Sequence, residues 1–134
     1  MEFNKLIPEL LVSSFEESLK FYTKGIGFNV KYTRDKPRFA MLEYNGAQIM
    51  IEEIHNTSPE WITGKMEKPF GRGINLQVEV EDLENIVHSL KENQYKLRTE
   101  PKTTTYKTGN TQSTCTQFLI EDPDGYLIRI QKIC

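Results

Sequence analysis

The side chains with the clearest capacity for chemistry are two carboxylates, Glu9 and Glu52, and one guanidinium, that of Arg129. A glutamate can act as a general base when its surroundings raise its pKa. The planar five-donor fork of an arginine can hold a carboxylate or a similar anion. The plainer interpretation is that Arg129 pairs with Glu9 or Glu52 and neutralises charge. Either role places these groups together in one hollow of the fold.

The histidines and cysteines carry weaker signals. His88 falls beside the apolar stripe of a predicted helix and is expected at the surface, and His55 ends a predicted strand, where a loop position is expected rather than a metal site. Cys115, within a predicted strand, is expected to be a small apolar filler and not a nucleophile. The two cysteines, Cys115 and Cys134, are too few for a disulfide framework. Their scarcity favours a reducing cytoplasm.

The elements that would position these groups follow one pattern, written twice. In the first half, Ser14 and Glu17 form a capping box for a helix that Gly25 and Gly27 end. In the second half, Asp82 can cap a helix with apolar residues at i, i+3, i+4 and i+7. The predicted strands are 6–12, 28–33, 38–43 and 48–54, then 73–80, 95–98, 113–120 and 126–132. Each half therefore reads β-α-β-β-β, and a polar loop is predicted over 102–113.

Two turns set the register of the repeat. Tyr44-Asn45-Gly46 predicts a hairpin in the first half and Asp122-Pro-Asp-Gly125 one in the second. Aligning Gly46 with Gly125 predicts which residues face the helices: Phe39, Met41, Ile49, Ile51, Phe118, Ile120, Ile128 and Ile130. Leu76 is expected to be buried on the same side. The alternate residues then line the concave side of the sheet.

Motifs at the two ends of the chain resemble a known superfamily. They are Val12-x-x-Phe15-Glu-x-Ser-Leu19-x-Phe21-Tyr22 followed by Gly27-Phe28, and Glu121-Asp-Pro-Asp-Gly125-x-Leu-Ile. This combination resembles the glyoxalase / bleomycin-resistance / extradiol-dioxygenase (vicinal oxygen chelate, VOC) superfamily, and its bleomycin-resistance-like subgroup most. The resemblance implies an α+β fold of two tandem βαβββ modules forming an open, curved mixed sheet around a central groove. We expect one domain over 1–134, made of module 1–55, connection 56–72 and module 73–134.

The resemblance also implies where a divalent metal would be held. The ligand positions fall on Ile7, Gly73 and Arg129, with Met50 or, in a shifted register, Glu52 as the fourth. Isoleucine and glycine offer no side-chain donor, and a guanidinium repels a dication. We therefore expect no metal or other cofactor.

The concave side carries more polar groups than a core surface would tolerate, which favours a ligand site. The resemblance also implies that aromatic residues of the connection and of the polar loop flank the groove at a dimer interface. The predicted ligand-binding residues are Glu9, Arg38, Met50, Glu52, Trp61, Phe70, Asn75, Gln77, Tyr106, Cys115, Gln117 and Arg129.

Composition limits the partners. The 17 Lys and Arg residues against 19 Asp and Glu give a net charge of -2, which offers no electrostatic reason to expect nucleic acid. No apolar run is long enough for a membrane span, and the N-terminus lacks the features of a secretory signal. We expect a cytoplasmic homodimer with a small-molecule ligand.

Three functions remain open from the sequence. The first is a metal-independent binding protein that protects by sequestering an antibiotic of the bleomycin type or another toxic metabolite, although the stretch 109–117 lacks the Trp often found there in drug-binding members. The second is an enzyme, a glyoxalase-like lyase or isomerase or a dioxygenase, whose metal is held by displaced ligands such as His55, Glu52 or Glu9. The third is a dimeric interaction module with a vestigial groove.

Overall fold

The computed structural model describes residues 1–132 and divides them into two modules of the same design. The first contains β1 (Glu9–Val12), α1 (Phe15–Lys20, continued by a π-helical segment, Phe21–Ile26), β2 (Asn29–Arg34), β3 (Phe39–Tyr44) and β4 (Ala47–Glu53). A connection with one short 3-10 helix, Pro59–Trp61, leads to the second. That module contains β5 (Asn75–Val80), α2 (Leu83–Glu92), β6 (Thr99–Thr108), β7 (Thr111–Glu121) and β8 (Leu127–Lys132).

Each module forms its own four-stranded mixed sheet. The strand orders are β1-β4-β3-β2 and β5-β8-β7-β6, so the two sheets repeat one topology. In each sheet the first and last strands of the module pair in parallel, and the remaining pairs are antiparallel. The predicted fold class, an α+β repeat of βαβββ modules with open sheets, is confirmed.

The helix ends follow the predicted local signals. Ser14 Oγ accepts a hydrogen bond from the backbone N of Glu17, and Asp82 Oδ1 accepts one from the backbone N of Asn85. These side chains satisfy donors that the first turn of a helix leaves unpaired. Gly27 ends the π-helical segment in the left-handed region, with φ at +115°.

One core serves both modules. The helix-facing sides of the two sheets pack against α1, α2 and the π-helical segment, and Phe21 meets Tyr95 edge to face with ring centroids 5.0 Å apart. The strand residues in this core are Leu10, Val12, Ala40, Leu42, Ile49, Ile51, Val78, Val80, Phe118, Ile120, Ile128 and Ile130. We call the opposite side of each sheet its open face.

Strand β3 presents the opposite face from the one predicted. Ala40 and Leu42 lie in the core, directly across from core residues of β4. The prediction that Phe39 and Met41 face the helices is therefore wrong, since both belong to the open face.

Turn length explains this reversal. The pair Tyr44–Ala47 closes a two-residue hairpin loop, whereas the pair Glu121–Leu127 closes a loop of five residues. When Gly46 is aligned with Gly125, strand β4 aligns with β8 in the correct register, but β3 is displaced by one residue relative to β7. A one-residue offset moves every side chain of a strand to the other face.

The third strand of the second module also differs from the prediction. Residues 95–98 are not a strand, and the predicted polar loop over 102–113 is instead most of a long hairpin of β6 and β7. Hydroxyl pairs join its strands, Thr103 with Thr116 at 2.9 Å and Thr105 with Thr114 at 3.1 Å. The Thr-rich composition suits a strand because β-branched residues pack well on a pleated surface.

Candidate functional site

The open face of the second module contains a cavity of about 300 Å³. Four strands contribute to it, and its walls carry hydroxyl, amide, thiol-derived and guanidinium groups. The lining residues are Gln77, Tyr106, Thr108, Ser113, Cys115, Arg129 and Gln131. We call it the Arg129 cavity.

Sheet register brings these side chains to one face. Gln77 of β5 pairs with Arg129 of β8, and Gln117 of β7 pairs with Gln131 of β8. The residues between them, such as Ile130, point into the core. The period-two alternation of a strand thus separates an apolar side from a polar side within the same segments.

Two polar atoms at this site are buried without a partner. Gln117 Nε2 donates a hydrogen bond to Tyr106 Oη at 2.9 Å. Its other amide atom, Oε1, and the Nε of Arg129 are buried and make no hydrogen bond within residues 1–132. An unpaired buried polar group costs about 1–3 kcal/mol, so the site has an unused donor and an unused acceptor.

The neutralising ion pair predicted for Arg129 is not formed. Among the ion pairs within the described part of the chain, none joins Arg129 to Glu9 or Glu52. Glu52 instead accepts a hydrogen bond from the hydroxyl of Thr57. The positive charge of Arg129 is therefore not compensated by a carboxylate of the cavity lining.

Glu9 and Glu52 lie on the open face of the first module, together with Met50. Glu9 and Met50 are register partners in β1 and β4. Burial raises the pKa of Glu9, the negative charge of Glu52 raises it further, and Arg34 lowers it. Arg34 also stacks over the ring of Phe39, with its guanidinium carbon 4.6 Å from the ring centroid.

The N-terminal segment covers part of this first open face. The backbone N of Asn4 donates to Gln48 Oε1 at 2.8 Å, and Gln48 Nε2 donates to the carbonyl oxygen of Glu2 at 2.7 Å. Phe3 contacts Tyr32 edge to face. The described residues that line the Arg129 cavity all belong to the second module.

Arg38 lies away from both open faces. Its Nη1 is 3.0 Å from Oε1 of Glu16, and its guanidinium stacks over the ring of Phe15 in α1. The reversed face of β3 accounts for this position, because Arg38 has the same parity as the core residue Ala40.

Three further predicted residues lie outside the cavity. Trp61 is 58 % exposed in the connection. Phe70 is buried against Tyr126, with ring centroids 5.8 Å apart. Asn75 is exposed at the start of β5, paired in register with Leu127. The structure thus brings together Gln77, Tyr106, Cys115, Gln117 and Arg129 from the predicted set.

The positions that the resemblance assigns to metal ligands do not fit a divalent metal. Ile7 precedes β1, and Gly73 lies in the turn before β5 with φ at +89°. Within residues 1–132, no group of three or more His, Cys, Asp or Glu side chains is arranged to hold a metal ion. Arg129 is itself a cation at the third of the four positions.

Cys115 differs from a simple apolar filler. It is 5 % exposed in the cavity wall, and its sulfur is in a disulfide, so it is not a free thiol and the cysteines do not support a reducing compartment. Cys134 lies outside the described residues.

The predicted set omitted three lining residues, Thr108, Ser113 and Gln131. Gln131 follows from the alternation of β8. Thr108 lies in the segment that was expected to be a loop and Ser113 where that loop meets the predicted strand 113–120, and pairing of β6 with β7 brings both to the cavity. A signal was present, since Gly109-Asn110 separates two Thr-rich runs and such a dipeptide is typical of a two-residue hairpin.

A buried carboxylate network fixes the turn before β8. Asp122 Oδ2 accepts a hydrogen bond from Tyr22 Oη at 2.7 Å, and its Oδ1 accepts from the backbone N of Asp124 and of Tyr126, both at 2.9 Å. Burial raises the pKa of Asp122 to about 6, against the opposing effect of these hydrogen bonds. The network positions the strand that carries Arg129.

Asp122 is expected to make the protein less stable as the pH rises from about 4 to about 6. Its pKa is about 6 in the folded state against an ordinary 3.8, so the folded state holds this proton more tightly. The stabilisation is full below the lower value and is lost as the pH passes the upper one. A shift of this size corresponds to at most about 3 kcal/mol.

Urea unfolding of the wild type and of Asp122→Asn across this pH range measures the effect. The free energy of unfolding of the wild type, minus that of the variant, should fall with rising pH. A difference independent of pH would contradict the assignment.

Comparisons with known proteins agree with this architecture. The model of the family described as Glyoxalase/Bleomycin resistance protein/Dioxygenase superfamily matches residues 6–130. The comparison with curated proteins found no match.

Several solved structures share the fold. A virulence protein from Salmonella typhimurium is 19% identical, with a TM-score of 0.69 over 100% of both chains. An integron cassette protein from the mobile metagenome of V. cholerae is 19% identical, with a TM-score of 0.70 over 100% of this chain and 98% of that one. A glyoxalase/bleomycin resistance protein/dioxygenase from Nocardioides is 17% identical, with a TM-score of 0.67 over 98% of this chain and 84% of that one. At these identities the likeness extends to the fold alone.

Proposed function

This chain belongs to the glyoxalase/bleomycin resistance protein/dioxygenase superfamily, and we propose that it binds a small molecule in the Arg129 cavity without a metal and without breaking a bond. The observation that carries the proposal is the buried, unpaired Nε of Arg129 beside a cavity of about 300 Å³. A protein gains nothing from leaving a buried donor unpaired, whereas a ligand acceptor would remove that cost. Such a volume suits a small ligand.

The biological role proposed is protection by sequestration of a toxic metabolite or an antibiotic. In the described part of the chain, the lining of the cavity contains one charged residue, Arg129, and no side-chain carboxylate. This charge disfavours a cationic drug of the bleomycin type and favours a neutral or anionic compound. A cytoplasmic setting is part of the proposal. Within residues 1–132, no helix combines the length and apolarity needed to cross a bilayer.

A homodimer is proposed as the working form. Several large apolar side chains remain exposed, including Leu6 at 83 %, Trp61 at 58 % and Ile74 at 56 %. A second copy of the chain would bury such groups at an interface. A monomeric mass by light scattering at all protein concentrations would contradict this.

The enzyme alternative requires His55, Glu52 and Glu9 to converge on a metal. His55 is exposed in the turn after β4, and the described residues contain no metal-binding cluster that includes these three. Stoichiometric, tight divalent metal in the purified protein would favour the enzyme.

Arg129→Ala is expected to abolish most ligand binding while leaving the fold intact. A hydrogen bond to a charged group contributes about 1.5–3 kcal/mol, so affinity should fall about 10- to 100-fold. A thermal-shift screen of small anionic, neutral and cationic compounds on the wild type supplies the binders, because a ligand of the native state raises the unfolding temperature.

Arg98→Ala is the matched control. Arg98 lies in the same module and pairs with Glu121 at the surface, 3.4 Å away. The Arg98→Ala variant should bind these compounds with the affinity of the wild type. Unchanged affinity in Arg129→Ala would remove Arg129 from the site, and a screen without any binder would contradict the proposed function.

A further inference from the structure

The Arg129 cavity has a distinct charge pattern. Among residues 1–132, Arg129 is the one charged residue in its lining, and the remaining groups are amides, hydroxyls and a disulfide-bonded cysteine. The carboxylates of the first open face, Glu9 and Glu52, make no ion pair with it. An anion entering the cavity therefore meets an uncompensated guanidinium.

The two unpaired atoms at the site have opposite hydrogen-bonding needs. Arg129 Nε carries a hydrogen and needs an acceptor, whereas Gln117 Oε1 needs a donor. The other end of the Gln117 amide is already held, because Nε2 donates to Tyr106 Oη at 2.9 Å. That hydrogen bond fixes the direction in which Oε1 points.

Arg129 and Gln117 are diagonal neighbours on one face of the sheet. Arg129 is the register partner of Leu119, two residues from Gln117 on the same strand. Diagonal neighbours on antiparallel strands are about 7–8 Å apart, which long side chains can bridge to a common point. Arg129 lines the cavity, and Gln117 lies directly behind the lining, hydrogen-bonded to the lining residue Tyr106, so both groups are placed to meet one small molecule.

We infer that the ligand is a small carboxylate bearing a hydroxyl or N–H donor within a bond or two of the carboxylate carbon. The inference rests on the proposed function and names its ligand class. The carboxylate lies against the guanidinium edge of Arg129, using the Nε–H that has no partner in the free protein. The adjacent donor binds Gln117 Oε1.

This arrangement selects against two related kinds of compound. A cation in place of the carboxylate is repelled by Arg129 and leaves Nε unpaired. An oxo group in place of the donor sets two acceptors, its own oxygen and Gln117 Oε1, against each other. Leaving a buried partner unpaired is what makes such discrimination strong.

Three acids of one carbon skeleton, 2-hydroxyisovalerate, isovalerate and 2-oxoisovalerate, test these requirements together with isobutylamine, in which an ammonium group replaces the carboxylate of isovalerate. The readout is the ¹H–¹⁵N NMR signal of Arg129 Nε–H, identified by its loss in Arg129→Lys. We expect 2-hydroxyisovalerate to shift this signal and to bind about 5- to 10-fold more tightly than isovalerate or 2-oxoisovalerate. Isobutylamine should leave the signal unchanged.

Two variants test the acceptor. Gln117→Leu removes Oε1 and should abolish the advantage of 2-hydroxyisovalerate over isovalerate. Gln112→Leu makes the same change at an exposed position of β7 on the other side of the sheet, and should keep that advantage. Wild-type-like unfolding in urea for both variants excludes loss of the fold.

Equal affinity of the wild type for the hydroxylated and plain acids, or binding of isobutylamine at Arg129, would overturn the inference. If other compounds bind the cavity while none of the three acids moves the Arg129 signal, the inference fails and the proposed function stands. If no compound of any charge class binds, both fail.

Discussion

Replacing Gly125 with alanine is expected to lower the free energy of unfolding by about 4 kcal/mol or more, at the exceptional end for a single substitution. Gly125 has φ at +92°, a conformation that a residue with a side chain rarely adopts. A Cβ at this position would lie 2.5 Å from Cβ and 2.6 Å from Cα of Pro69. Both the backbone strain and the clash must be relieved.

Neither side of this contact can move away cheaply. The backbone N of Gly125 donates to the carbonyl oxygen of Asp122 at 2.9 Å, which closes the turn. The backbone N of Phe70, next to Pro69, donates to the carbonyl oxygen of Asp124 at 2.8 Å. The turn and the connection between the modules are therefore tied together at the point where the new methyl group would sit.

Gly46→Ala provides the matched control. Gly46 has φ at +90°, but a Cβ there would meet no heavy atom within 4 Å. This variant bears the conformational cost alone, about 1–2 kcal/mol. Urea unfolding of both variants isolates the steric contribution, and equal losses would mean that the contact with Pro69 is looser than the structure has it.

Phe118→Ala is expected to destabilise the protein by about 3–5 kcal/mol. Phe118 is 0 % exposed and lies at the centre of the core that both modules share. Removing its ring leaves a cavity among strands β7 and β8 and the helices that cannot collapse without moving several neighbours.

Leu76→Ala supplies the comparison for this core substitution. The sequence predicted a buried Leu76, but its side chain is only partly buried where it packs against the core, and it lines a surface cavity beside Leu10. Its replacement should cost less than that of Phe118, because part of the removed surface already faces solvent. A larger loss for Leu76 than for Phe118, by urea unfolding, would contradict the assigned strand faces.

Local signals in the sequence determined the elements of this protein. Ser14 and Asp82 cap the two helices and Gly27 ends the first, because each acts on backbone groups within a few residues of itself. The alternation in β5, β7 and β8 likewise placed Gln77, Gln117 and Arg129 on one polar face. The motifs at the two ends of the chain determined the superfamily.

Tertiary structure decided what depends on pairing between distant strands. Pairing of β3 with β4 across a two-residue loop set the face of β3, so Arg38 lies outside the predicted site and Phe39 belongs to the open face. Pairing of β6 with β7 turned an expected loop into a wall of the Arg129 cavity and brought Tyr106 to Gln117. Local signals do not determine these results, because the face that a side chain occupies depends on the register of its strand with a partner strand. Whether a buried polar atom finds a hydrogen-bond partner depends on residues that are distant in the chain.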